Sequence, residues 1–283
     1  MVSSTETRQP RGDERLAFIG GGNMARSLVA AALRGGCAAA SISVAEPNAT
    51  TREALVRDFA ITAHATAREA AQGAGTLLLA IKPQIMKGVC AEIAPVVVAA
   101  QPLVISIAAG IRLDQLASWL GADLPIVRVM PNTPALIGAG ASGLIANARV
   151  TPAQRERAAG LLGAAGSIVW IEREALMDTV TALSGSGPAY FFLLVEALEE
   201  AAVAQGLPRD IARALATQTC LGAGRMLTEE GEPPAELRQR VTSPGGTTAA
   251  ALDVFIHGGL RELVANAVTA ATRRGAQLSE QFS

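Results

Sequence analysis

Residues 16–34 read LAFIGGGNMARSLVAAALR. An apolar run turns through three glycines straight into a stretch with helical spacing. No other segment restricts the fold as much, because a strand that turns this tightly into a helix begins a β/α unit. The alternation continues to about residue 171. Strand-like runs are LAFIG (16–20), ISVAE (42–46), TLLLAI (76–81), LVISIA (103–108), PIVRVM (125–130), SGLIA (142–146) and SIVWI (167–171). Several are apolar throughout, as in strands covered on both faces of a parallel sheet. Helical segments fall between them, around 23–34, 51–59, 84–94 and 112–120. Another starts at Thr151-Pro152, where threonine can cap and proline fits the first turn. The pattern predicts an α/β fold with a doubly wound sheet.

The glycines fit G-x-G-x-x-A as Gly20-Gly21-Gly22-Asn23-Met24-Ala25. Gly20 allows the tight turn, Gly22 lets a pyrophosphate approach the backbone, and Ala25 keeps the helix close to its strand. Free N–H groups at the helix start then face the phosphates. The second strand ends at Glu46, about 24 residues beyond Gly22, where a ribose-binding acid is expected. A carboxylate there accepts from a 2′-hydroxyl and repels a 2′-phosphate, which argues for NADH tolerance. Arg52 on the following helix remains within reach of a phosphate.

After residue 172 strand signals stop. Helices are expected at 188–205, 208–229 and about 246–275, with a shorter one near 234–241. Segments such as 211–223 are apolar around much of their circumference, which suggests burial against another subunit. Ser243-Pro244-Gly245-Gly246-Thr247-Thr248 precedes one of these helices and has the makings of an anion site without arginine. The expected organisation is a polar extension at 1–15, a dinucleotide-binding domain at 16–171 and a helical domain at 172–283.

Composition narrows the choice. With 283 residues and 50% hydrophobic content, a large core is possible; the net charge of −1, without a long basic run, argues against nucleic acid. No run reaches the ~18 unbroken apolar residues of a membrane span, so no membrane role is expected. MVSSTETRQPRGDER lacks the apolar stretch of a secretory signal. Cys37, Cys90 and Cys220 form neither a metal pattern nor a disulfide framework, so no metal is expected and a cytoplasmic location is.

Three reductase chemistries can be tested against the residues. A Tyr-x-x-x-Lys pair is absent: the one tyrosine, Tyr190, is followed four places on by Leu194. His64 lies in a polar stretch and His257 closes a helix, so neither is placed as a catalytic base. Lys82 and Lys87 are the only lysines, both in the first domain, which disfavours a lysine acting from the second domain. A carbonyl turned into an alkoxide needs a proton donor at once. A protonated imine does not, since hydride simply neutralises C=N⁺.

FIGGGNMA (18–25), AIKP (80–83), SIAAG (106–110), MPNTPALIGAG (130–140), LSGSGPAY (183–190) and TSPGGTT (242–248) occur in one order. Together they resemble the pyrroline-5-carboxylate reductase family over residues 16–278. The resemblance implies a Rossmann-like domain followed by an all-helical dimerisation domain. It implies reduction of 1-pyrroline-5-carboxylate to L-proline with NADPH or NADH, in the last step of proline biosynthesis. It also implies a homodimer, and in many members five dimers form a decameric ring.

The same resemblance lays Ile19 to Met24, Ala80, Ile81, Lys82 and Pro83, and Ile107, Ala108 and Ala109 along the dinucleotide. Asn132 then offers an amide near the nicotinamide. Ser243, Gly245, Gly246, Thr247 and Thr248 hold the substrate carboxylate, with Thr248 near the ring nitrogen as the catalytic residue. Glu46, and Ala67 where relatives carry asparagine, depart from many family members and leave the choice between NADH and NADPH open. Two alternatives stay open: a reductase of another cyclic imine or imino acid, and a non-catalytic dinucleotide sensor. A sensor would have no need of the 243–248 site.

Overall fold

The computed structural model describes residues 15–121 and 123–282. The expected N-terminal extension lies outside them, except for Arg15. The order begins β1 (Leu16–Ile19), α1 (Asn23–Arg34), β2 (Ile42–Ala45), α2 (Ala49–Phe59), β3 (Thr62–His64), α3 (Ala67–Ala71), β4 (Thr76–Leu79) and α4 (Pro83–Ala100). It continues with β5 (Leu103–Ser106), α5 (Leu113–Leu120), β6 (Ile126–Met130), β7 (Gly140–Ala146), α6 (Pro152–Gly163), β8 (Gly166–Trp170) and α7 (Met177–Val180). After a π-helical turn at Thr181–Gly185 come α8 (Gly187–Ala204), α9 (Arg209–Glu229), α10 (Pro234–Arg240), α11 (Thr247–His257) and α12 (Leu260–Gln281).

The strands form one sheet in the order β3-β2-β1-β4-β5-β6-β7-β8. All neighbours pair in parallel except β6 and β7. The connection between those two is a loop with a short 3-10 helix at Thr133–Ile137, too short for a crossover back to the starting edge, so the chain reverses. The sheet is therefore mixed at one end, where the apolar runs had suggested parallel strands.

Alternation within β1 shows why its residues are apolar throughout. Leu16 and Phe18 enter one core layer with Leu28, Val29, Val44 and Leu55, which come from β2, α1 and α2. Ala17 and Ile19 enter the other with Leu77, Met86, Ile93 and Leu116, under α4 and α5. Each fully buried Leu, Ile or Phe contributes roughly 1.5–3 kcal/mol by leaving water. α4 is long and apolar enough, by length and composition alone, to cross a membrane. Its buried stripe of Met86, Cys90, Ile93 and Val97 instead packs on the sheet.

Three local expectations need correction. The polar stretch holding His64 is the strand β3, and α3 follows it, with Thr66 and Glu69 closing a capping box. α4 runs through Pro95 to Ala100, past the expected end near 94. The helix expected over 246–275 is two helices, broken at Gly258-Gly259, where Gly259 takes φ +78°.

By compactness the chain divides into two units. The first holds residues 15–185 and regains the chain from Ala271 onward; the second is Ser186–Ala270. The expected boundary at 171/172 falls inside the first of these units. The second unit buries few of its own large apolar side chains: Phe192, Leu193, Val254 and Leu263 are each 65% or more exposed. An apolar surface of this kind marks an interface.

Candidate active site

Gly20 has φ +103°, and a Cβ on it would lie 2.5 Å from the Ala80 carbonyl oxygen. Only glycine lets β1 turn so close to the end of β4. A Cβ on Gly22 would meet nothing within 4 Å, so space opens above the start of α1. Gly22 is the N-cap and no side chain caps the helix. The first-turn N–H groups have no intrahelical partner and face that space as anion donors.

A cavity of about 320 Å³ lies there, lined by Gly22, Asn23, Met24, Ala80, Ile81, Lys82, Ile107, Met130 and Pro131. The lining comes from the carboxyl ends of β1, β4, β5 and β6, where open α/β sheets take ligands. A tight glycine turn, an uncapped helix start and a cavity at the strand ends fit a dinucleotide.

Among the other residues expected along the dinucleotide, Ile19, Gly20, Gly21, Pro83, Ala108 and Ala109 do not line this cavity, whereas Lys82 does. Ile19 and Ala108 are buried in the core, at 2% and 4% exposure. Ala109 is exposed, Gly20 and Gly21 shape the turn, and Pro83 begins α4. Lys82 is exposed at the N-cap of α4, with no carboxylate paired to it among the described residues. Met130 and Pro131 were missed as wall residues; their signal was their position at the end of β6.

Asn132 is occupied differently from the expectation. Its Nδ2 donates to the Ser184 carbonyl at 3.0 Å, and its Oδ1 accepts from the Ala141 N–H at 2.9 Å. Both ends of the amide are bonded within the protein, so Asn132 fixes the loop that follows Met130-Pro131. Glu46 is half-buried beside the turn: its Oε2 accepts from Gly21 N–H at 3.1 Å and its Oε1 from Asn48 N–H at 2.9 Å.

An ionic pair anchors β6. Buried Arg128 donates to Glu174 at 3.0 Å, and Glu174 also accepts from the Leu113 N–H at 2.8 Å. This ties the cavity-bearing strand to α5 and to the segment entering α7. Cys90, under α4, has its thiol pushed up to about 12 by burial, so it is no nucleophile at neutral pH.

In the second unit, Gly246 is the N-cap of α11, and again no side chain caps the helix. Gly245 takes φ +69°, and the Gly246 N–H closes a turn on the Ser243 carbonyl at 3.0 Å. The hydroxyls of Ser243, Thr247 and Thr248 take no hydrogen-bond partner among the described residues. The turn thus presents uncommitted N–H and O–H donors and no cation.

A Pseudomonas aeruginosa protein named pyrroline-5-carboxylate reductase is 49% identical over 268 residues, covering 95% of this chain and 98% of that one. The chain belongs to the pyrroline-5-carboxylate reductase family. The family model for pyrroline-5-carboxylate reductase dimerisation matches residues 174–278, so the exposed apolar helices lie in a dimerisation domain. A model described as NADP oxidoreductase coenzyme F420-dependent matches residues 15–110, which include the glycine turn. The structure of a pyrroline-5-carboxylate reductase from Coxiella burnetii superposes with TM-score 0.91 at 41% identity, covering 94% of this chain and 98% of that one. The Plasmodium falciparum pyrroline carboxylate reductase, solved with NADP bound, has TM-score 0.82 at 29% identity, covering 95% of this chain and all of that one. Pyrroline-5-carboxylate reductases are NAD(P)-dependent oxidoreductases acting on a C=N bond.

Proposed function

We propose that the chain reduces 1-pyrroline-5-carboxylate to L-proline with NADH or NADPH, the last step of proline biosynthesis. The observation that carries this reading is the pair of uncapped glycine-started helices, at Gly22 and at Gly246, in a chain 49% identical to a named reductase. The bound dinucleotide supplies a hydride. Asn23 and Met24, at the start of α1, bind its pyrophosphate. Lys82 and the cavity wall at Ala80, Ile81, Ile107, Met130 and Pro131 hold its length, with Asn132 keeping the wall in place.

The turn at Ser243, Gly245, Gly246, Thr247 and Thr248 binds the substrate carboxylate, and Thr248 orients the ring nitrogen. The imine enters protonated; hydride on its carbon gives the neutral secondary amine, so no strong acid is required. Catalysis is then chiefly positioning and electrostatics. We take the assembly to be a homodimer through the 172–283 region, with five dimers forming a decamer, in the cytoplasm. The apolar surface of the second unit supports the dimer.

The test is oxidation of NADH and NADPH by folded protein with pyrroline-5-carboxylate and a panel of other cyclic imines. Fastest turnover on pyrroline-5-carboxylate is expected. A better substrate elsewhere in the panel would move the assignment to that imine, and no oxidation with either cofactor would end the enzyme reading.

A further inference from the structure

We infer that this chain takes NADH in preference to NADPH and that Glu46 is the discriminating residue; the inference rests on the dinucleotide reading above and sharpens it. Glu46 is not a free strand-end carboxylate. Its two oxygens accept from the N–H groups of Gly21, at 3.1 Å, and Asn48, at 2.9 Å. It is seated against the turn so closely that a Cβ on Gly21 would lie 3.0 Å from Oε2 and 2.6 Å from Leu55 Cδ1. Leu55 is fully buried beneath it. The carboxylate is therefore held in place by backbone on one side and core on the other.

The end of the second strand in a doubly wound fold receives the adenosine ribose. Backbone N–H groups at that place are what a 2′-phosphate would use. Here both are already held by an anion that belongs to the chain. A 2′-phosphate, carrying about −1.5 to −2, would meet a fixed negative charge and find those donors taken. A 2′-hydroxyl can donate to the carboxylate's remaining lone pairs.

The cation on the same connection is drawn to the backbone of the turn. Arg52 Nη1 donates to the Glu46 carbonyl at 2.8 Å and to the Pro47 carbonyl at 3.1 Å. Through Nη1 its guanidinium fastens the 46–48 turn.

The experiment is calorimetric titration of NADH and NADPH, without imine, into the wild type, Glu46→Gln, Glu46→Ser and Arg52→Ala. Glu46→Gln keeps one acceptor for the turn and guards against a folding defect in Glu46→Ser. The wild type should bind NADH at least about tenfold more tightly than NADPH, and both Glu46 variants should narrow that ratio by about tenfold through tighter NADPH binding. Equal affinity in the wild type, or an unchanged ratio in both Glu46 variants, would overturn the inference. So would tight wild-type NADPH binding that weakens in Arg52→Ala, because Arg52 would then have left its carbonyls for the phosphate. Binding of neither dinucleotide overturns this and the proposed function together. A clear NADH preference with no turnover of any imine removes the proposed reaction and leaves the role of Glu46 standing.

Discussion

Gly22 and Gly246 hold nearly the same backbone conformation, φ −69°, ψ −179° and φ −79°, ψ 172°, and each starts a helix that no side chain caps. Asn48, Thr66 and Thr151 start α2, α3 and α6 from the same extended region, but each caps its helix with a side-chain oxygen. Any residue can adopt these negative φ values. What glycine provides at positions 22 and 246 is the absence of a side chain that would occupy the first-turn N–H groups.

Replacing Gly22 by aspartate should therefore separate stability from function. Its Cβ would meet no neighbour within 4 Å. The carboxylate would cap α1 and face its positive end, worth about 0.5 kcal/mol. Thermal unfolding should show an unchanged or slightly raised Tm, while titration shows NADH binding weakened by about 100-fold or more through like-charge repulsion. Normal NADH binding would mean that the pyrophosphate lies elsewhere.

Thr248→Ala should leave the fold alone, since the hydroxyl has no partner among the described residues. It should lower kcat/KM for the imine at least several-fold, through one lost hydrogen bond of about 1–2 kcal/mol. Thr248→Ser should recover much of the loss. An unchanged kcat/KM in the alanine variant would remove Thr248 from the mechanism.

Asn132→Ala should act the opposite way, on structure first. It strands the Ser184 carbonyl and the Ala141 N–H, both bonded by the native amide. Urea unfolding should show a loss of about 2–4 kcal/mol, and kcat/KM should fall as the loop carrying Pro131 loosens. Full stability with lost activity would instead place the amide on the ligand.

Glu199 predicts a pH dependence of unfolding. It joins α8 to α9 by accepting from Arg213 at 2.8 Å and Arg209 at 2.7 Å. The hydrogen bond from Arg213, then that from Arg209, holds its carboxyl below the usual carboxylate range against the opposing cost of desolvation. Its contribution is present above the unfolded-state value and is lost as pH falls through the lowered folded one. Glu199→Gln should lower Tm at neutral pH, and the gap to wild type should close as pH falls through the lowered folded-state value. A gap constant over that range would assign the effect to packing.

Most of the sheet was legible because its strands are buried on both faces and so read as unbroken apolar runs. β3 was not, because Thr62, Ala63 and His64 at the sheet edge need no apolar run. The reversal of β7 was hidden for a related reason: an apolar strand has the same composition in either direction, and only the short 131–139 connection carries the sign. Gly258-Gly259 was visible but its φ was not, so two helices read as one. At the site, Gly20, Gly22 and Lys82 could be found from their motifs. The paired use of the Asn132 amide could not, because Ser184 is 52 residues away in sequence. Glu46 could be found as the acid that ends the second strand, but its two backbone donors emerge only in three dimensions.

α12 starts in the second unit and finishes in the first, where Gly275 packs against Asp178 and Gln115 donates to the Ser279 carbonyl at 3.4 Å. The nucleotide-binding unit is thus finished by residues that a ribosome reaches only after making the whole of the helical one. A nascent chain that has emerged as far as residue 185 still lacks part of its first unit. The order of synthesis and the order of completion therefore differ, and the hydride-donor half of the enzyme cannot close until the half that carries the dimer surface has been made.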